Sequence, residues 1–291
     1  MLTRMVCLAI AVVAGTPLQV PKAAMQVTQR ARALTPGEVV LVTVRPSSPL
    51  TELRGEWAGE TLVFYQSEGT RWQGLVPIDL ATRAGRYVLT LRARTADGRE
   101  LTHDHRITVA TRTFPTRRIT VEEKFATPPD DILPRIKREQ AEAEAVFRRA
   151  PEERLWREPF VVPVPGKATS SFGRRSIVNG EPRSPHSGTD FEASAGTPVV
   201  APNRGRVALA ADHYFPGRTL IIDHGGGLYS YLAHLSEFDV GEGEMVERGQ
   251  QIALSGATGR VTGPHLHWTM RLGRARVDPL SLVSVLESDR P

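Results

Sequence analysis

Six of the eight histidines of this 291-residue chain lie in its second half, at positions 186, 213, 224, 234, 265 and 267. His265-Leu266-His267 stands in a run of strand-forming residues, and in a strand, residues two apart project to the same face, so both imidazoles can reach one point. His186-Ser187-Gly188-Thr189-Asp190 places another imidazole four residues before a carboxylate. Pro185, Gly188 and Thr189 disfavour a helix there, so a turn entering a strand is the expected setting. Three ligands drawn from His and Asp, with one coordination position left to water, are what a catalytic zinc site requires. The only cysteine, Cys7, falls in an N-terminal apolar run, so a mature chain lacks disulfides, a thiol nucleophile and thiolate ligands.

Other chemistries find no support. No Gly-x-Ser-x-Gly marks a serine hydrolase, and no His-Glu-x-x-His supplies a glutamate base. The run Val246–Ile252 is similar to lipoyl and biotinyl hairpins, but no lysine follows Lys167 to carry such a group. Lys and Arg number 37 against 32 Asp and Glu, a formal charge of +5, with 40% apolar and 24% charged residues. That is a folded, globular composition. Its arginines are spread among acids without the dense block of a nucleic-acid arm, so no nucleic-acid partner is expected.

The elements that must hold these residues are mostly strands. Between Gln26 and Thr113, short β-rich runs such as Val39–Val44, Thr61–Tyr65, Tyr87–Arg92 and Arg106–Val109 alternate with turns, a sandwich pattern. Trp57 and Trp72 are expected in its core, and His103 and His105 on a solvated edge strand. From Pro128 to Arg149 strong helix formers, acids early and bases late, predict a charged helix on a surface between two domains. After Phe160 strands punctuated by Gly and Pro return. There His224 reads as a turn residue, His213 as exposed, and Asn179 as part of an Asn-Gly turn. At the N-terminus, Arg4 precedes the apolar run Met5–Gly15, the pattern of a secretory signal peptide cleaved after Gly15 or Ala24. No other stretch is long enough to span a bilayer.

Ser171-Phe172-Gly173-Arg174-Arg175, His186–Phe191, Ile222-Asp223-His224-Gly225, Tyr231–Ser236, Gly256-Ala257-Thr258-Gly259 and Gly263–Trp268 occur together in order. Over about 165–280 the chain thereby resembles the lysostaphin-type, LytM-like (M23) zinc metallopeptidases. The resemblance implies an antiparallel β domain with a substrate groove, one Zn²⁺, and hydrolysis of peptide bonds in peptidoglycan stem peptides or cross-bridges. By the same resemblance His186, Asp190 and His267 are the metal ligands and His265 and His234 the catalytic pair. One histidine of that pair serves as general base and then acid, the other orients water or stabilises the oxyanion. The expected organisation is mainly β: a signal peptide over 1–24, an Ig-like β-sandwich over 25–115, a helical linker over 116–160 and the zinc peptidase domain over 161–285. The setting is the periplasm or cell envelope, with peptidoglycan as partner and no membrane span in the mature chain. The alternative is a non-catalytic envelope module that regulates other cell-wall hydrolases, whose relatives lose the ligands this sequence retains.

Overall fold

The computed structural model describes residues 24–120, 127–149, 151 and 153–287, so the expected signal peptide lies outside the described residues save for Ala24. The first eight strands are β1 (Met25–Arg30), β2 (Val39–Pro46), β3 (Leu50–Trp57), β4 (Glu60–Val63), β5 (Tyr65–Gln66), β6 (Trp72–Pro77), β7 (Gly85–Thr95) and β8 (Glu100–Val109). They form two four-stranded antiparallel sheets, β1-β2-β6-β5 and β4-β3-β7-β8. Alternation sends Leu89, Leu91 and Ala93 of β7 inward, where they meet Val40, Val42 and Val44 of β2 in one core that also takes Trp57 and Trp72. β8 is an edge strand, and His105 bonds Gln29 at its surface.

β9 (Thr116–Ile119) and helix α1 (Leu133–Phe147) follow. The helix packs on the second half of the chain: Val146 and Phe147 join Leu209, Ile221 and Tyr229 in a small cluster. Its polar side then holds the strand end beside it. Glu142 pairs with His213, the Glu139 carboxylate accepts the Tyr214 N–H, and Arg135 donates to the Asp212 carbonyl. His213 is therefore buried, not exposed as the sequence suggested, because a carboxylate 71 positions away supplies its partner.

The remaining strands are β10 (Ala168–Ser170), β11 (Arg175–Val178), β12 (Glu181–Pro182), β13 (Thr189–Glu192), β14 (Pro198–Val200), β15 (Gly205–His213), β16 (Gly217–Asp223), β17 (Leu228–Phe238), β18 (Met245–Val246), β19 (Gln251–Ser255), β20 (His265–Leu272) and β21 (Ala275–Val277), before helix α2 (Pro279–Glu287). The spine of the large antiparallel sheet runs β10-β13-β20-β17-β16-β15-β18, with β14, β19 and β21 attached. A small separate sheet joins the β11–β12 hairpin to β9, which runs parallel to β11.

The two halves share polar and apolar ground. Val39, Leu41 and Leu75 of the sandwich belong to the same core as Trp268, Met270 and Leu282. Glu38 and Asp278, both buried, accept from Arg32, and Arg112 also donates to Glu38. No described helix is long and apolar enough to cross a membrane.

Candidate metal centre

Strand periodicity sets the site. In β20 Leu266 and Trp268 are fully buried in the core while His265 and His267 project from the opposite face. In β13 Phe191 enters the same core and Asp190 points the other way. The antiparallel register pairs Asp190 directly with His267, 77 positions apart in sequence. His186 comes from the turn before β13. Gly188 lets that turn approach, since a Cβ there would sit 2.5 Å from the Trp268 carbonyl oxygen and 2.8 Å from the His267 ring.

The three side chains converge. His186 Nε2 lies 3.1 Å from Asp190 Oδ1 and 3.0 Å from His267 Nδ1, and His267 Nδ1 lies 2.9 Å from the same carboxylate oxygen. Among the described residues this is the only cluster whose ligand atoms lie close enough to hold a metal. Its fit to a metal follows from the outer partners. His186 Nδ1 donates to the Ser171 carbonyl, so its proton sits there and Nε2 carries a lone pair unless the ring is cationic. His267 Nε2 contacts the Thr269 hydroxyl, leaving Nδ1 to face inward. With the His267 proton on Nε2, donated to the Thr269 hydroxyl, two nitrogen lone pairs and a carboxylate oxygen meet so closely that they repel unless a positive charge, a metal ion or a shared proton, lies among them. Ligands of a tetrahedral zinc, with bonds of ~2.0–2.1 Å, stand roughly 3.3–3.4 Å apart, close to the spacing found. Burial alone would raise the Asp190 carboxyl; without a metal ion, only N–H donation and positive charge from His186 and His267 outweigh it and hold the carboxyl well below the carboxylate range, a role a cation takes over when both rings turn lone pairs inward. Burial, above all, also disfavours the cationic form of His267.

Two further histidines flank the cluster. His265 Nδ1 donates to the Gly263 carbonyl, which turns Nε2 towards Asp190 Oδ1 at 3.7 Å. His234 stands with its ring centroid 4.8 Å from that of His265 and 6.0 Å from that of His267. It reaches this place through a bulge. Arg218 and Leu220 of β16 pair with Leu235 and Leu232 of β17, so β17 carries one residue more than its partner at Ala233–His234. His234 takes a φ of 65°, its N–H donates to the Pro216 carbonyl, and its Nδ1 donates to the Thr258 carbonyl. The free Nε2 is therefore an acceptor. Burial and, next, His267 push the pKa of the ring down to about 4, which keeps it neutral. Tyr231, edge-on to His267, has its phenol pushed up to about 12 by burial and so stays protonated.

All five residues singled out in the sequence thus gather here, whereas His213 and His224 stand apart. His224 is fully buried between the Arg204 carbonyl and the Ser230 hydroxyl, a structural part of its turn. The supporting groups Ser171, Thr258, Gly263 and Thr269 went unassigned in the sequence. Thr269 alone had a signal, since it lies two residues beyond His267 and so on the same strand face.

The arrangement has counterparts. Residues 184–279 match the model of Peptidase family M23. A crystal structure of a peptidase M23 from Pseudomonas aeruginosa superposes with a TM-score of 0.69 at 35% identity, covering 88% of this chain and 97% of that one. The chain belongs to peptidase family M23. It is also 37% identical over 139 residues to the peptidoglycan DD-endopeptidase ShyB of Vibrio cholerae serotype O1, and 39% identical over 125 residues to ShyA of the same organism. Those matches take in 47% and 43% of this chain but only 30% and 27% of the relatives.

Proposed function

We propose that this chain is an exported zinc metalloendopeptidase that cleaves peptide bonds of peptidoglycan, in stem peptides or cross-bridges, with one zinc per chain held by His186, Asp190 and His267. The observation that carries the reading is the triangle of ligand atoms 2.9–3.1 Å apart, close to the spacing that a tetrahedral zinc imposes on its ligands. A zinc ion held by these three side chains would supply Lewis acidity and lower the pKa of water.

The chain's own residues do the rest. His234, neutral and with Nε2 free, accepts a proton from the attacking water and returns it to the leaving amine. His265, with Nε2 turned inward, orients that water or donates to the developing oxyanion. The division between them rests on tautomer and burial, and the reverse assignment is the outcome to test against. The names of the relatives, DD-endopeptidases of peptidoglycan, support the substrate and a place in the cell envelope. The eight-strand sandwich, with its shared core, is proposed to be Ig-like and to serve as a rigid mount for the catalytic sheet.

The test is mass spectrometry of muropeptides released from purified sacculi by the zinc-loaded chain, with metal content measured in parallel. Cleavage that stops with chelation and returns with zinc is expected. Sacculi left intact by a chain loaded with one zinc would overturn the catalytic reading.

A further inference from the structure

A bulge leaves its extra residue out of the ladder, and at the bulge carrying His234 a side chain from another loop stands in. Past the extra residue the ladder resumes at Arg218 of β16 and Leu235 of β17. Thr258, in the loop over 256–263, sets its hydroxyl between them: Oγ1 accepts the Arg218 N–H at 2.9 Å and donates to the Leu235 carbonyl at 2.7 Å. A hydroxyl suits this place because it accepts and donates at once. The carbonyl of the same residue accepts the proton of His234 Nδ1 at 3.0 Å. Thr258 thereby ties together the two strands that make the bulge and the ring that the bulge presents.

The backbone around Thr258 is shaped to let it come this close. Gly217 takes a φ of 65° and Gly259 one of 76°. A Cβ on Gly217 would overlap the Thr258 hydroxyl and carbonyl carbon, and one on Gly259 would overlap the Gly217 nitrogen and the Phe215 carbonyl oxygen. The two turns therefore press backbone on backbone, and the Arg260 N–H fastens the loop to the Phe215 carbonyl. Further along the loop the Gly263 carbonyl holds Nδ1 of His265, so one loop seats both rings that flank the ligand cluster. Threonine is β-branched and stiff about χ1. With its hydroxyl held by both strands, its own carbonyl, a few bonds away, is confined as well.

We propose that the Thr258 hydroxyl is a positioning group for hydrolysis: by bridging β16 and β17 it sets the carbonyl that keeps the His234 proton on Nδ1, and so leaves Nε2 with the lone pair that takes a proton from water. The inference rests on the proposed peptidase function, in which His234 is the base, and deepens it. Thr258 acts through that ring and not on the substrate. Its hydrogen bonds go to Arg218, Leu235 and His234 and to none of His186, Asp190 and His267, so a change at its hydroxyl should reach the base without reaching the metal.

The experiment compares the zinc-loaded full chain with its Thr258→Val and Thr258→Ser variants, by initial-rate hydrolysis of a soluble cross-linked muropeptide, by zinc content, and by ¹H–¹⁵N NMR of the histidine ring nitrogens. In the unmodified chain His234 should be the Nδ1–H tautomer; finding Nε2–H there overturns the proposal whatever the variants do. Valine keeps the branching and removes the hydroxyl, which leaves the Arg218 N–H and the Leu235 carbonyl without that partner. Thr258→Val is expected to lower kcat about tenfold to hundredfold, the cost of misplacing a reacting group by up to ~1 Å, with KM and zinc unchanged and the His234 signal divided between tautomers. Thr258→Ser should recover most of the rate together with the Nδ1–H signal. A kcat for Thr258→Val within about threefold of the unmodified chain, a loss that serine does not recover, or zinc lost in step with kcat overturns the proposal. A His234 tautomer that follows the hydroxyl, in a zinc-loaded chain that cleaves no muropeptide, would support the hold of Thr258 on the ring and overturn the hydrolytic reading instead, so the two failures are distinct.

Discussion

Replacing His234 with asparagine separates proton transfer from metal binding. Asparagine tolerates the left-handed backbone that His234 adopts at φ 65°, so the bulge in β17 and the N–H bond to Pro216 should survive. The three proposed ligand atoms lie on other residues, and the zinc content should match that of the unmodified chain. What is lost is a neutral ring whose Nδ1 is tied to the Thr258 carbonyl and whose Nε2 is free to take a proton. Positioned general bases contribute about 10²–10⁴-fold, which at ~1.4 kcal/mol per decade is a barrier increase of roughly 3–5 kcal/mol. The assay is initial-rate hydrolysis of a soluble cross-linked muropeptide, with zinc measured on the same samples. A fall in kcat of that size with KM and zinc unchanged is expected. Activity within about threefold of the unmodified chain refutes the base assignment, and loss of zinc equal to that of a ligand variant would place His234 in the metal's own coordination.

Four other outcomes follow from the same geometry. His267→Ala removes one corner of the ligand triangle and should abolish both stoichiometric zinc and hydrolysis, as read by elemental analysis and muropeptide release; retention of full hydrolysis would remove the ligand assignment. Thr269→Val deletes the hydroxyl partner of His267 Nε2 and should weaken zinc affinity about 10–100-fold in a competition titration with a chromogenic chelator. Glu38→Gln removes the buried carboxylate that accepts from both Arg32 and Arg112; because those guanidiniums are partly solvated, the cost in urea unfolding should be about 2–3 kcal/mol, below the full cost of breaking a buried pair. Burial depresses the His224 pKa from 6.5 to about 4, so between those values the unfolded chain binds the extra proton; stability should fall as pH drops from about 6.5 to about 4, by up to about 3 kcal/mol, and His224→Gln should flatten that part of a urea-melt pH series.

How much of this was legible in the chain depends on the range of the interaction concerned. The common face of His265 and His267 could be read because strand alternation is local: His265, His267 and Thr269 share a face whatever lies across from them. The pairing of Asp190 with His267 is non-local; the apolar Phe191, Leu266 and Trp268 exclude a slip of one residue, which would turn them out of the core, and contacts beyond the alternation set the rest. The placement of His234 had no such local sign. Its alternation within Tyr231–Ser236 is broken by an extra residue whose cause is the Pro216 carbonyl on the facing turn, and only the family resemblance singled it out. His213 failed for a related reason. A histidine at a strand end reads as exposed until a helix 71 positions earlier covers it with Glu142, and the register of that helix is fixed by Val146 and Phe147, the few apolar residues in a charged run. The same helix fastens Asp212 and Tyr214, and the turn they begin continues into Phe215 and Pro216, which hold Arg260 and His234. Helix α1 is thus continuous, through hydrogen bonds, with the segment that carries the proposed base His234. The charged surface that made the helix look like a spacer is what lets it hold residues 212–214, which lead into the turn bonded to His234.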